Sequence, residues 1–305
     1  MKRTSTLLAG AFAGLLLLSA CGGGSDPLGP SGGGQEPAAT DTIRITSADF
    51  PENRLLAEIY AQALEKAGVS VERDFGIGAR EVYFPGLRDG SWDLVPDYTG
   101  VLLQHINPDA SETAPDEVYA ALKEQVPAPL TVLERSTAEN KDAVVVTAET
   151  AQRYGRSLAD YGPACSELVF GGPPEFQTRP DGLPGIEQTY GCTFKEFRAL
   201  DTGGPITVAA LADGTVQAAN LFTTDPTIEE RGFVVLEDPL NNFAAQNVVP
   251  LINSAKATPQ VTEALNAVSA KLTTEGLVEL NRQLNAPEKP EVNTVAEAWL
   301  AENGL

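Results

Sequence analysis

Residues 89–100 read Asp-Gly-Ser-Trp-Asp-Leu-Val-Pro-Asp-Tyr-Thr-Gly. Asp89-Gly90 is a turn pair, residues 92–95 predict a short apolar strand, and Pro96 predicts its end because proline has no N–H for a sheet ladder. Asp97, Tyr98 and Thr99 then stand at the carboxyl end of that strand, where open α/β sheets bind their ligands. A tyrosine in that place offers its ring face to a cation or its hydroxyl to a polar group.

Outward from this stretch the pattern alternates. Residues 43–46 (Ile-Arg-Ile-Thr) alternate apolar and polar, as a strand does. After the Asp49-Phe50-Pro51 loop, Leu55, Leu56, Ile59, Ala63 and Leu64 recur at helical spacing, and Gly68 marks the helix end. Residues 69–75 predict a second strand, 80–88 a helix, 116–125 another helix and 143–147 a buried strand. A Gly- and Pro-rich stretch at 162–186 leads into a helix at 185–190. Residues 194–200, 216–222, 233–236 and 247–252 predict further strands, and 261–273, 275–284 and 295–303 predict three closing helices. Strands alternating with helices imply an α/β fold with a mainly parallel sheet.

Composition narrows the function. The chain has 305 residues, room for about two domains. It carries 21 basic against 42 acidic residues, a net charge of −21, which argues against nucleic acid as a partner. Such a surface keeps a protein soluble, or attracts a cationic solute within the roughly 8 Å that physiological salt leaves unscreened. There is no Gly-x-Ser-x-Gly elbow, His-Glu-x-x-His helix or phosphate-binding Gly-x-x-x-x-Gly-Lys loop. Gly76-Ile77-Gly78 reads as a turn and Glu229-Glu230 as a solvated pair. With His105 as the sole histidine, neither a metal site nor a cysteine nucleophile has its usual partners. The reading is a non-enzyme without cofactor or metal.

Met1-Lys2-Arg3, the apolar run 7–18 and Leu18-Ser19-Ala20-Cys21 resemble a bacterial lipoprotein signal, with residues 1–20 removed and Cys21 lipidated. The alternative, a membrane-spanning anchor, needs about 18 or more apolar residues. Residues 21–41 read as a flexible linker; about 20 such residues reach roughly 25 Å. Cys165 and Cys192 then remain in an oxidising compartment, where a disulfide is the default and two buried thiols the alternative.

Pro96-Asp97-Tyr98-Thr99-Gly100 resembles the Pro-Glu-Tyr-Thr-Gly stretch of the osmoprotectant-binding proteins of ABC importers, which capture glycine betaine, choline and carnitine. Further resemblance lies in residues 47–53 (Ser-Ala-Asp-Phe-Pro-Glu-Asn), in 175–185 (Glu-Phe-Gln-Thr-Arg-Pro-Asp-Gly-Leu-Pro-Gly) with Tyr190-Gly191, in Phe222-Thr223-Thr224-Asp225, and in 235–239. It implies a two-lobed type II periplasmic binding fold with a hinge, residues 42–143 and 246–305 forming lobe 1 and 144–245 lobe 2. It implies a small-molecule ligand, an ABC permease as partner, and attachment through lipid to the extracytoplasmic face of a bacterial cell membrane. The family holds a trimethylammonium group in an aromatic cage, because a quaternary ammonium has no N–H to donate. By this resemblance Tyr98 matches one cage position and Phe222 replaces a cage tyrosine. Arg179 matches an arginine that reaches an anionic group, or instead pairs with Asp181 or Glu175. Asp142 and Gln246 stand where the family has aromatic residues, and Val101 replaces a hydroxyl residue. Asp49, Phe50, Thr99 and Asp225 complete the candidate binding residues. These replacements favour a choline-like ligand or another polar solute. An alternative is a sensor or adhesion lipoprotein that reuses the fold.

Overall fold

The computed structural model describes residues 42–305. The expected signal, the expected linker and the expected lipidation site Cys21 lie outside the described residues. The first half runs Ile43–Thr46 (β1), Pro51–Lys66 (α1), Val71–Asp74 (β2), Arg80–Asp89 (α2), Leu94–Tyr98 (β3), Thr99–Ile106 (α3), Pro115–Gln125 (α4) and Leu130–Val132 (β4). There follow Asp142–Val146 (β5), Ala148–Tyr154 (α5), Leu158–Tyr161 (α6), Val169–Gly172 (β6), Leu183–Tyr190 (α7) and Glu196–Ala199 (β7). Pro205–Ala212 (α8), Ala218–Phe222 (β8), Thr227–Glu230 (α9) and Val234–Val235 (β9) come next. Val248–Asn253 (β10), Pro259–Lys271 (α10), Thr274–Leu284 (α11) and Val292–Glu302 (α12) end the chain. None of the helices among the described residues is long and apolar enough to cross a membrane.

Two five-stranded sheets result, β2-β1-β3-β10-β4 and β7-β6-β8-β5-β9. Each has four strands running one way and one reversed. The reversed strands are β10 and β5, the two that the chain enters when it crosses from one sheet to the other. Side chains alternate between the two faces of each sheet, with the period of two that pleating imposes. In β10, Val248 and Ile252 pack toward α1, while Val249 and Leu251 pack on the opposite face with Leu102 and Leu122. In β5, Val144 and Val146 face the core containing Phe170 and Phe176, while Ala143 and Val145 face Val208 and Leu211. Both faces of both sheets are therefore covered, which is why these strands read as short apolar runs.

Pro96 does not end its strand: β3 continues through it to Tyr98, between β1 and β10. The register explains how. Pro96 lies opposite Pro250. The Pro250 carbonyl turns away from β3 and accepts Leu133 N at 3.0 Å, so the proline pair occupies a non-hydrogen-bonded position of the antiparallel ladder. On its other side the Pro96 carbonyl accepts from Asn53 Nδ2 at 2.9 Å. Neither proline is asked for the N–H it lacks.

Two segments join the sheets, residues 133–141 and 236–247, and they run antiparallel. Ser136 N donates to the Val248 carbonyl (2.8 Å), and Asn140 N to that of Gln246 (3.0 Å). Gly100 permits the close approach here, since a Cβ at that position would stand 2.6 Å from the Ala245 carbonyl oxygen. In the second lobe a disulfide links Cys165 to Cys192 across a separation of 27 residues. Loop entropy at that length makes its loss cost about 3–4 kcal/mol. The Cys165→Ser/Cys192→Ser double variant is expected to lower the urea midpoint accordingly, while the unmodified protein under reductant follows the variant.

Candidate functional site

Register places the first candidates beside one another. Asp142, at the start of β5, pairs with Phe222 at the end of β8. Tyr98, at the end of β3, pairs with Val248, two residues beyond Gln246. The carboxyl ends of β1, β3 and β8 thus converge on the junction between the lobes, around a cavity of about 60 Å³. Phe50, just ahead of α1, lies between two rings: its centroid is 6.1 Å from Tyr98 and 5.2 Å from Phe222, both stacked within 27°. A continuous aromatic wall therefore bridges the lobes.

Behind that wall sits Glu52, 4% exposed. Its Oε1 accepts from the Tyr98 hydroxyl and from Asn140 Nδ2, each at 2.7 Å. Its Oε2 accepts from Thr224 Oγ1 and Asn281 Nδ2, each at 2.6 Å. The donors come from the end of β3, the crossover segment, the turn after β8 and α11, so both lobes contribute. Among the described residues no cation pairs with this carboxylate, and neutral donors hold it. Burial, reinforced by the Glu52 charge, pushes the Tyr98 phenol far above its ordinary range and keeps it a donor. With that hydroxyl committed, Tyr98 has its ring to offer the cavity.

Both arginines of the cavity are already neutralised. Arg80 and Asp97 are buried together, the guanidinium reaching the carboxylate at 2.5 Å while the Tyr83 hydroxyl donates to it at 2.8 Å. Arg179 forks across the lobes onto Glu81, at 3.1 and 3.0 Å, with Glu175 at 3.9 Å. Burial alone would raise the Glu81 carboxyl, but the Arg179 fork outweighs it and holds the group down to about 2. Gly182 makes this arm possible: a Cβ there would meet the Phe176 carbonyl oxygen at 2.0 Å. Asp142 differs from these pairs. Its hydrogen bonds come from neutral amides, Asn220 Nδ2 at 2.9 Å and Gln246 Nε2 at 3.3 Å. Nearby Asp181 is 3% exposed; burial, then the negative charge of Asp142, pushes its carboxyl up to about 7.

Of the sequence-predicted residues, Tyr98, Phe222, Arg179, Asp142, Gln246, Asp49 and Phe50 line the cavity. Asp49, at the mouth, pairs with Arg54. Thr99 and Asp225 lie outside its wall. Thr99 Oγ1 donates to the Ala245 carbonyl and accepts from Asn247 N, both at 3.1 Å, fastening the crossover. Asp225 accepts from Thr227 N at 2.8 Å and faces a neighbouring cavity. Arg179 meets Glu81 of the other lobe more closely than Glu175. The sequence reading passed over Glu52, Arg80, Tyr83 and Asn140. An acid in the first turn of a helix reads as a partner of the helix dipole, and a pairing across the 17 positions from Arg80 to Asp97 has no local signal. Among the described residues no group of three or more metal-ligating side chains converges.

Replacing Glu52 with Gln puts an amide N–H₂ against donors. Glu52→Gln is expected to lower the unfolding free energy by about 2–4 kcal/mol in urea titrations. Asp181 supplies a pH test. Its folded pKa of about 7 lies above the ordinary 3.8, so it removes stability as pH rises through that window and nothing further above it. Subtracting wild-type stability from that of Asp181→Asn should therefore give a difference that grows between pH 4 and about 7 and then levels; a flat difference would contradict the assignment.

The family model for the substrate-binding domain of ABC-type glycine betaine transport systems matches residues 41–302. A glycine-betaine-binding protein of Pseudomonas aeruginosa is 26% identical over 289 residues, covering 88% of this chain and 91% of its own. The ergothioneine transport permease/ergothioneine-binding protein EgtU of Helicobacter pylori is 25% identical over 268 residues; the match covers 86% of this chain and 47% of that protein. A crystal structure of a glycine betaine/carnitine/choline ABC transporter aligns with a TM-score of 0.68 at 20% identity, over 86% of this chain and 98% of the other, a likeness of fold. With the family model spanning nearly all described residues, the chain belongs to the family of substrate-binding domains of ABC-type glycine betaine transport systems.

Proposed function

We propose that this protein captures a small solute with a quaternary-ammonium or similar cationic head between its lobes and delivers it to an ABC permease. In this reading the parts that carry the two sheets move as bodies, residues 42–132 with 248–305 as one and 142–235 as the other, on the 133–141 and 236–247 segments as hinge. A boundary after residue 143 would divide β5, so Asp142 belongs with Phe222. The N-terminal pattern supports extracytoplasmic placement with a lipid tether at Cys21.

One observation carries the ligand class. The cavity joins three aromatic rings, Phe50, Tyr98 and Phe222, to a carboxylate, Asp142, whose partners are all neutral amides. Rings attract a cation that cannot hydrogen-bond, each by about 0.5–2 kcal/mol. Asp142 adds the negative charge that such a cation needs in a desolvated site. Arg80 and Arg179 are bound to carboxylates, which leaves a short betaine's own carboxylate without a free cation beside it. Choline-like solutes therefore fit better than glycine betaine. The names of the relatives, a glycine-betaine binder and an ergothioneine binder, fall in the same quaternary-ammonium class.

Titration calorimetry with choline, glycine betaine, carnitine and ergothioneine tests this. Choline is expected to bind more tightly than glycine betaine. Tyr98→Ala and Phe222→Ala should each weaken it about 2- to 30-fold, and Asp142→Asn should weaken it further. Failure of all four solutes to bind, or an affinity indifferent to Tyr98→Ala, overturns the reading.

A further inference from the structure

A second cavity, of about 360 Å³, lies against the first. The two share Phe50, Asn140, Thr202 and Phe222 as common lining. The Phe50–Phe222 stack, 5.2 Å between centroids, is thus a partition with a chamber on either side. Both rings are partly exposed, and rotation about a side-chain bond is fast compared with lobe closure.

The chambers differ in what charge they leave free. In the first, each arginine is paired with carboxylates, and Asp142 is the acid held by neutral partners. In the second, Arg231 and Lys289 stand at an exposed rim, and neither forms an ion pair among the described residues. Two acids also line this chamber. Glu52 is saturated by its four donors, and Asp225 is engaged with Thr227 N. Val208 and Leu284 supply an apolar floor.

We propose that the second chamber is a subsite for the anionic tail of an elongated, soluble zwitterion. Its cationic head occupies the first chamber beside Asp142. Its tail passes the Phe50–Phe222 partition along Asn140 and Thr202 to reach Arg231 and Lys289. The chemical class is a quaternary ammonium whose anion sits several bonds from the nitrogen, as in a phosphate ester of choline. In glycine betaine the two charges are too close together to occupy both chambers. This inference rests on the first chamber holding the cationic head.

Calorimetry on the full chain with phosphocholine, choline and inorganic phosphate tests it, using wild type, Arg231→Gln/Lys289→Gln and Tyr98→Ala. Phosphocholine is expected to bind about tenfold more tightly than choline, from two partly solvated charge contacts. The double variant should lose that advantage, steeply at low salt, and leave choline unchanged. Tyr98→Ala should weaken both organic ligands alike. Phosphocholine binding no tighter than choline, or a double variant that weakens choline equally, overturns the subsite while the cationic-head reading stands. Inorganic phosphate binding as tightly as phosphocholine also overturns it, because the anion site would then be independent of the first chamber. If neither choline nor phosphocholine binds, both readings fall.

Discussion

A carboxylate buried without a cation is the constraint around which the lobes are arranged. Taking such a charge out of water costs several kcal/mol even after the protein relaxes, and Glu52 recovers that cost only if donors surround it. The fold supplies four, and they arrive from four separate parts of the chain: the end of β3, the crossover segment, the turn after β8, and α11. Thr224 is the donor from the second lobe. It brings that lobe to Glu52 at 2.6 Å, and its carbonyl and hydroxyl also accept from Asn281 at 3.2 and 3.1 Å. Separation of the lobes would expose these groups to water, which replaces most of each bond, so the net preference for contact is modest. A modest preference suits a binding protein, because a ligand shifts an open–closed equilibrium only by its differential affinity for the two states.

Charge placement in the cavity follows the same economy. A chain with a net charge of −21 has few cations to spend, and those at the junction are committed to holding structure. Arg80 pairs with Asp97 under β3 and α2, and Arg179 reaches across to Glu81. The result is a pocket whose positive groups are matched and whose Asp142 is not. Asp181 registers this imbalance: burial and the Asp142 charge together hold its proton on toward neutrality.

Local pattern made the strands and helices legible because apolar spacing follows backbone period. Leu55, Leu56, Ile59, Ala63 and Leu64 marked α1, and the run of valines marked β5. What local pattern does not carry is register. Pro96 read as a strand end because its harmless position opposite Pro250 is set by a residue more than 150 positions away. The mainly parallel sheet expected from alternation is present, with one reversed strand in each sheet, which only the crossings between lobes require. The cavity shows the same division. Tyr98, Phe222, Asp142 and Gln246 were found through short motifs at strand ends. The Glu52 cluster and the Arg179–Glu81 fork join residues 46 to 229 positions apart, and nothing in the sequence near either partner announces them.

In the proposed reading, the Phe50–Phe222 contact serves both fold and ligand. One ring belongs to the loop before α1, the other to the end of β8, and their stacking joins the two lobes. An aromatic pair of this kind contributes about 0.5–1.5 kcal/mol beyond its burial, too little to hold two lobes shut by itself. A cation placed beside the same rings is attracted to each quadrupole separately, so it interacts with both lobes only when they are together. The open form offers it one lobe's rings at a time, and Asp142 stands with Phe222 on the far side from Tyr98 and Phe50. On that reading, the difference between those two sets of contacts is the free energy that would drive closure. That is why the aromatic wall has to be divided between the lobes rather than built within one.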